Sequence, residues 1–161
     1  MTRILVAGIG NVFCGDDGFG VAVVERLSRE PLPAGVEVRD YGIRGVHLAY
    51  QMLEPYDLVV LVDTMQRGGE PGSVYVVEPD EPVAEAGDAE VLMDAHDMTP
   101  DAILALVPKL GGSLGRVLVV GCEPADLGPG MELSAVVTAA LGEAVRAVRK
   151  LVQVTEGVAC A

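Results

Sequence analysis

ILVAGIGNVFCGDDGFG, residues 4–20, joins an apolar run to a turn rich in glycine and aspartate and then to an amphipathic segment. The run Ile4–Ala7 has the composition of a buried β strand. From Phe19 to Leu27 apolar residues recur at helical spacing, and prolines follow at positions 31 and 33. The stretch therefore predicts a strand, an acidic turn and a helix, which is the first unit of an α/β domain.

The rest of the chain continues this alternation of strands and helices. Further apolar runs predict strands at Val36–Arg39, Leu58–Val62, Val74–Val77 and Val117–Val120. Helices are predicted at Val46–Leu53, from Thr99, its N-cap, to about Leu110, and from Ser134 to about Gln153. Such alternation is typical of a mainly parallel sheet whose two faces are covered by helices.

One connection is too short for a helical crossover. Only Asp63 to Ser73 separate the third and fourth strands, whereas a parallel crossover needs about a dozen or more residues. We therefore expect the fourth strand to run antiparallel at an edge, and residues 79–94 to form a long surface loop. The predicted fold is one domain, 1–161, of the α/β class. It is a three-layer sandwich in which helices cover both faces of a twisted sheet of about five strands, mostly parallel with one antiparallel.

Charge and cysteine content argue against several classes of function. Eleven basic residues against 24 acidic ones give a net charge of −13, which repels nucleic-acid phosphates and anionic membranes. The 3 cysteines have no C-x-x-C spacing, so they indicate neither a disulfide framework nor a structural zinc site. No apolar run approaches the ~18 residues of a membrane span. We expect a cytoplasmic monomer that binds neither nucleic acid nor membranes.

Acidic residues follow three of the predicted strands. Asp17 lies in the turn after the first strand, Asp40 ends the second and Asp63 ends the third, while His96 precedes the third helix. Ligands of open parallel sheets bind beyond the carboxyl ends of the strands, near the point where the strand order reverses. We therefore expect Asp17, Asp63 and His96 to meet there. Two carboxylates and one imidazole suit a divalent transition ion with open coordination positions.

Other interpretations of these residues stay open. The glycines of the first turn suggest a dinucleotide site, but Phe13 stands where the last glycine of the G-x-G-x-x-G pattern belongs. The carboxylates of Asp16 and Asp17 also disfavour a phosphate at the helix N-terminus. Acids at such positions are equally explained as caps of turns and helices, which applies to Asp17 and Asp63. His96, taken alone, could be a structural or exposed histidine.

The sequence resembles the [NiFe]-hydrogenase maturation proteases, also called hydrogenase-specific C-terminal endopeptidases. The resemblance extends over nearly the whole chain. It rests on ILVAGIGNVFCGDDGFG (4–20), VEVRDYGIRG (36–45), VVLVDTMQRGGEPGSVYVVE (59–78), the histidine of MDAHDMT (93–99) and VVGCEPADLGPGMELS (119–134). The first and third stretches are the most specific, and the order and separation of all five add weight.

The resemblance implies a substrate and a metal. Members of this family remove a short C-terminal extension from the hydrogenase large-subunit precursor after nickel has been inserted there. Asp17, Asp63 and His96 match the family's metal-binding positions. The nickel is implied to belong to the precursor, so the site in the isolated protein is expected to be empty or to hold another divalent ion.

The resemblance also implies roles for other residues. Asp16 and Asp40 are the predicted catalytic residues, which would position the attacking water. Loops 66–73 and 79–98 are predicted to contact the large-subunit precursor, because loops carry recognition on such scaffolds. Two alternatives remain: a Rossmann-like nucleotide-binding module, and a peptidase of the same fold with a non-hydrogenase substrate.

Overall fold

The computed structural model describes residues 2–80 and 99–159, and the elements follow the predicted alternation. The strands are β1 (Ile4–Ile9), β2 (Val36–Gly42), β3 (Leu58–Thr64), β4 (Val74–Val77) and β5 (Val117–Cys122). The helices are α1 (Phe19–Ser28), α2 (Gly45–Gln51), α3 (Pro100–Lys109) and α4 (Ala135–Ala159). A 3₁₀ turn, Gly15–Gly18, leads into α1. His96 and most of the predicted loop at 79–94 lie outside the described residues.

The strands form one sheet in the order β2-β1-β3-β5-β4. The neighbours from β2 to β5 are parallel, whereas β4 pairs antiparallel with β5 at the edge of the sheet, as the short connection predicted. The chain moves from β1 to β2 on one side of β1 and then to β3 on the other side. The strand order therefore reverses between β1 and β3, which places the expected ligand crevice at their carboxyl ends.

The alternation of side chains in the strands divides the core into two layers. On one face of β1, Ile4 and Val6 pack with residues of α1 and α4. On the other face, Leu5, Ala7 and Ile9 pack with residues of α2 and α3. The predicted three-layer sandwich, with helices on both faces of a mostly parallel sheet, is therefore confirmed.

Gly20 fixes the position of α1 against the sheet. A Cβ at this residue would lie 2.1 Å from the carbonyl oxygen of Val62 and 2.4 Å from that of Ile9. Only glycine allows the first turn of α1 to approach the ends of both β1 and β3 so closely. The acidic turn that precedes α1 is consequently held over the crevice between these strands.

The start of α3 and the end of α4 can be compared with their predicted positions. Thr99 caps α3, since its hydroxyl oxygen accepts a hydrogen bond of 3.2 Å from the backbone N–H of Ala102. The last helix is longer than predicted and continues beyond Gln153 to Ala159. Across residues 2–80 and 99–159, no helix has both the length and the apolar character needed to cross a membrane.

Candidate active site

Asp17 and Asp63 meet at the point where the strand order reverses. Asp63 lies near the end of β3 and is 5 % exposed, while Asp17 enters from the 3₁₀ turn after β1. Thr64 joins them: its hydroxyl donates to Asp17 Oδ1 at 3.1 Å, and its backbone N–H donates to Asp63 Oδ1 at 2.8 Å. The predicted proximity of these two carboxylates is therefore seen in the structure.

The backbone around Gly10 completes the cradle for Asp17. The N–H of Asn11 donates to Asp17 Oδ2 at 2.8 Å, and the N–H of Gly10 donates to the carbonyl oxygen of Gly42 at 3.0 Å. Gly10 has a φ of +135°, and a Cβ there would lie 1.9 Å from the carbonyl oxygen of Asp17. A side chain at this position would therefore displace the acidic turn from β1.

Among residues 2–80 and 99–159, only hydrogen bonds from Thr64 offset the negative charge of Asp63. Burial raises the pKa of Asp63 well above the usual range of an aspartate, and the nearby charge of Asp17 raises it further. The hydrogen bonds from Thr64 lower this pKa only in part. A bound cation would offset both effects, since its positive charge would stabilise the desolvated Asp63 carboxylate and counter the repulsion from Asp17. The pair is consequently suited to a cation.

Asp16 has a different environment, although it is adjacent to Asp17 in sequence. Its side chain is fully buried, and it accepts hydrogen bonds from the N–H groups of Ala125 (2.8 Å), Asp126 (2.9 Å) and Ser134 (2.7 Å) and from the Ser134 hydroxyl (2.9 Å). Burial raises the pKa of Asp16, but these hydrogen bonds outweigh it, so the pKa is lowered overall. Asp16 therefore fastens the acidic turn to residues 125–134.

This geometry gives no support to the catalytic role predicted for Asp16. Both of its oxygens accept hydrogen bonds from the protein, and the carboxylate has no exposed surface with which to hold a water molecule. The physical reason is the 3₁₀ turn, in which successive side chains point about 120° apart. Asp16 and Asp17 consequently point in different directions, Asp16 towards residues 125–134 and Asp17 towards Asn11 and Thr64.

Asp40 lies at the carboxyl end of β2 and is exposed. The pairing of β1 with β2 changes register here: Gly8 is opposite Asp40 and Ile9 is opposite Gly42, which makes Tyr41 an extra residue in β2. Bulges of this kind redirect side chains and are frequent beside active sites. Asp40 lines the same cleft as Gly10 and Asn11, the residues that contact Asp17.

The third predicted metal ligand, His96, lies outside the described residues, so its distance from the two carboxylates is untested. Within residues 2–80 and 99–159, no group of three or more His, Cys, Asp or Glu side chains is placed to hold a metal ion. The described part of the chain therefore contains two of the three predicted metal ligands, the carboxylates of Asp17 and Asp63. His47, the other histidine of the sequence, is exposed on α2.

Glu123 is a buried polar residue that the sequence did not single out. It follows β5, is 6 % exposed, and accepts hydrogen bonds from the N–H groups of Arg67 (2.8 Å) and Gly68 (3.1 Å) and from the Tyr75 hydroxyl (3.2 Å). The hydrogen bond from Arg67 is the largest cause that lowers its pKa, against the effect of burial. Glu123 therefore fixes the loop between β3 and β4. The same signal that marked Asp63, an acid directly after a buried strand, could have found it.

Comparisons with known proteins decide the family. The model of the hydrogenase maturation protease family (HycI) matches residues 21–151. The chain belongs to this family. Among its relatives, hydrogenase expression/formation protein HupD of Rhizobium leguminosarum is 35 % identical over 153 residues, covering 91 % of this chain and 74 % of that protein. HupD of Rhodobacter capsulatus is 33 % identical over 162 residues, covering 96 % and 76 %.

Solved structures of hydrogenase maturation proteases share the fold. The maturating endopeptidase HybD from E. coli superposes with a TM-score of 0.75 at 26 % identity, covering 94 % of this chain and 93 % of that one. A hydrogenase 2 maturation peptidase from a Thaumarchaeota archaeon gives a TM-score of 0.67 at 34 % identity, covering 93 % and 97 %. This hydrogenase maturation protease is therefore a peptidase, and the resemblance seen in its sequence is confirmed.

Proposed function

We propose that this protease removes a C-terminal extension from the large-subunit precursor of a [NiFe] hydrogenase, and that it does so after nickel has been inserted into the precursor. Membership of the maturation protease family supports the reaction class. The observation that carries the proposal is the Asp17–Asp63 pair at the carboxyl ends of β1 and β3, where the buried Asp63 carboxylate has no compensating positive charge among the described residues.

In this proposal Asp17, Asp63 and His96 bind the nickel that the precursor carries. Thr64 and Asn11 hold the two carboxylates in place through hydrogen bonds. A precursor without nickel would leave Asp63 buried and uncompensated, whereas a loaded precursor would neutralise it. Nickel insertion would thereby become the condition for productive binding, and the metal would align the scissile bond with this edge of the sheet.

Hydrolysis also requires a water positioned beside the scissile carbonyl. Asp40 is exposed and lines the cleft next to Asp17, where its carboxylate can accept a hydrogen bond from a water molecule. We assign the positioning of this water to Asp40 and leave Asp16 out of the chemistry. Because Asp40 is not one of the proposed nickel ligands, Asp40→Asn should lower the rate of cleavage while leaving nickel binding intact.

The test is to incubate nickel-loaded precursor with the wild type and with Asp63→Asn, His96→Ala and Asp40→Asn, and to follow the mass of the precursor. We expect the first two variants to lose at least about a hundredfold in cleavage rate, since each removes a ligand. Asp101→Asn and His47→Ala are matched controls, because both residues are exposed and lie outside the site. Cleavage at the wild-type rate by Asp63→Asn and His96→Ala would refute the assignment.

Two further measurements separate this proposal from its alternatives. Nickel-free precursor should remain uncut, and rapid cleavage of it would remove the metal from recognition. Nickel or cadmium should raise the melting temperature of the wild type through binding linkage, whereas ATP and NAD should not. A rise with a nucleotide instead would favour the nucleotide-binding interpretation, and cleavage of an unrelated protein but not of the precursor would favour a different substrate.

A further inference from the structure

A cleft of about 260 Å³ opens beside the Asp17–Asp63 pair on the side of β2. Its walls come from residues 10–13 and 40–44, together with Val21. It is continuous with the candidate active site through two backbone positions. Asn11, which lines the cleft, donates its N–H to Asp17, and a Cβ at Gly10 would lie 3.5 Å from Asp63 Oδ1.

Two large apolar side chains stand at this cleft without being part of the core. Phe13 and Ile43 are each 63 % exposed, and they come from the two different chain segments that line the cleft, residues 10–13 and 40–44. Single exposed apolar residues are common on protein surfaces, but two that line one cleft at a reaction site indicate recognition. Gly10 and Gly42 also line the cleft and add no side chains to it.

Arg44 also lines the cleft and contacts its neighbours in the segment 40–44. Its guanidinium donates to the carbonyl oxygens of Asp40 and Tyr41, and it lies 5.8 Å from the centroid of the Tyr41 ring. These contacts hold residues 40–44 in the conformation that follows the bulge of β2. The wall that carries Ile43 is therefore fixed before any partner binds, which reduces the entropic cost of recognition.

We propose that this cleft binds the polypeptide of the substrate next to the scissile bond, with an apolar side chain of the substrate between Phe13 and Ile43. The inference rests on the proposed function. An endopeptidase substrate continues as a chain on both sides of the bond that is cut, so it must leave the Asp17–Asp63 pair along the surface. The cleft meets the pair at Gly10 and Asn11 and offers an apolar surface for such a chain.

The experiment has a binding arm and a kinetic arm. The binding arm titrates the ¹⁵N-labelled protein with a synthetic peptide that covers the C-terminal extension of the precursor and the residues before it. We expect chemical-shift changes at residues 10–13 and 40–44. The double variant Phe13→Ser/Ile43→Ser should raise the Kd of the peptide about tenfold, because it removes two partly buried apolar contacts.

The kinetic arm measures cleavage of the nickel-loaded precursor. The double variant should raise KM by about the same factor while kcat changes little, since neither side chain takes part in the chemistry. Tyr50→Ser and Val154→Ser are matched controls, because these residues are 55 % and 52 % exposed and lie outside the cleft. Both controls should keep the wild-type Kd and KM.

The outcomes distinguish this inference from the proposed function. If Asp63→Asn abolishes cleavage but the double variant keeps the wild-type KM and Kd, the cleft is not the substrate site and the function stands. If the wild type does not cut the precursor, the proposed function is wrong. Chemical-shift changes at the cleft that disappear in the double variant would still establish that the cleft binds the peptide. Shifts elsewhere, or a wild-type dimer that the double variant converts to a monomer, would overturn the inference.

Discussion

Asp16 and Asp63 are two buried aspartates, one in the turn after β1 and one near the end of β3, and they differ in how the protein compensates their charge. Asp16 accepts hydrogen bonds from three backbone N–H groups and one hydroxyl, which outweigh burial and lower its pKa. Asp63 receives hydrogen bonds only from Thr64, among the described residues, while burial and the charge of Asp17 raise its pKa.

The difference separates a structural carboxylate from a functional one. A buried charge that is fully hydrogen-bonded stabilises the fold, whereas a buried charge without compensation costs stability and is retained where a ligand supplies the missing charge. By this criterion Asp16 stabilises the connection between the acidic turn and residues 125–134, and Asp63 has the environment expected of the cation ligand that the proposed function assigns to it. Replacing each carboxylate by its amide should therefore have opposite effects on stability.

The largest effect is expected for Asp16→Asn. The amide retains one acceptor oxygen but presents an NH₂ group to backbone N–H donors, so at least one buried donor loses its partner. We expect a loss of about 3 kcal/mol in the free energy of unfolding, which urea denaturation would measure. Asp101→Asn is the control, since Asp101 is exposed at the start of α3. An unchanged unfolding midpoint for Asp16→Asn would show that the four hydrogen bonds contribute nothing.

Asp63→Asn should act in the opposite direction and depend on pH. Because the pKa of Asp63 is raised in the folded protein, the fold binds this proton more tightly than the unfolded chain does, whose aspartates titrate near about 3.9. The stabilisation that the protonated Asp63 side chain gives to the fold is therefore fully present below that pH and is lost as the pH rises through the folded pKa. The metal-free variant should be more stable than the wild type at pH 7 by about 1 to 2 kcal/mol.

The measurement is a series of unfolding curves from about pH 4 to about pH 8. The free energy of unfolding of Asp63→Asn should be close to that of the wild type at the acidic end, and the difference between them should grow as the pH rises. A variant less stable than the wild type at neutral pH would mean that the Asp63 carboxylate is compensated in the fold. In that case the contrast with Asp16 would no longer hold.

The fold could be predicted from the sequence because burial is recorded in local patterns. Strands such as β1 and β3, which are covered on both faces, appear as uninterrupted apolar runs. The antiparallel direction of β4 followed from the length of its connection to β3 alone. The proximity of Asp17 and Asp63 followed from their positions at the ends of parallel strands, which topology brings together.

The role of Asp16 could not be predicted because its partners are remote in sequence. Ala125 and Ser134 lie 109 and 118 residues away, and no local pattern links them to the acidic turn. The direction of each aspartate within the turn depends on its 3₁₀ geometry, which the letters GDDG do not specify. The end of α4 was predicted too early, at about Gln153, whereas the helix continues to Ala159, because local sequence specifies helix boundaries only weakly.

The smallest effects on stability are expected from removing two hydroxyl groups, that of Ser134, which contacts Asp16, and that of Thr64, which contacts Asp17. Ser134→Ala removes one of the hydrogen bonds to Asp16, at 2.9 Å, and should lower the free energy of unfolding by about 1.5 kcal/mol. Thr64→Val removes the hydroxyl that contacts Asp17 at 3.1 Å; because the Asp17 carboxylate is partly exposed and keeps its hydrogen bond from Asn11, stability should change by less than about 0.5 kcal/mol.

The two variants should rank in the opposite order when their effect on nickel binding is measured by calorimetry. Thr64→Val leaves Asp17 without one of its positioning hydrogen bonds and should weaken nickel binding about tenfold, whereas Ser134→Ala should leave it near the wild-type value. Equal losses of nickel affinity in both variants would show that Asp16 and Asp17 act as one unit. A loss confined to Thr64→Val would establish that the acidic turn contains two carboxylates with separate tasks, one holding the fold and one holding the metal.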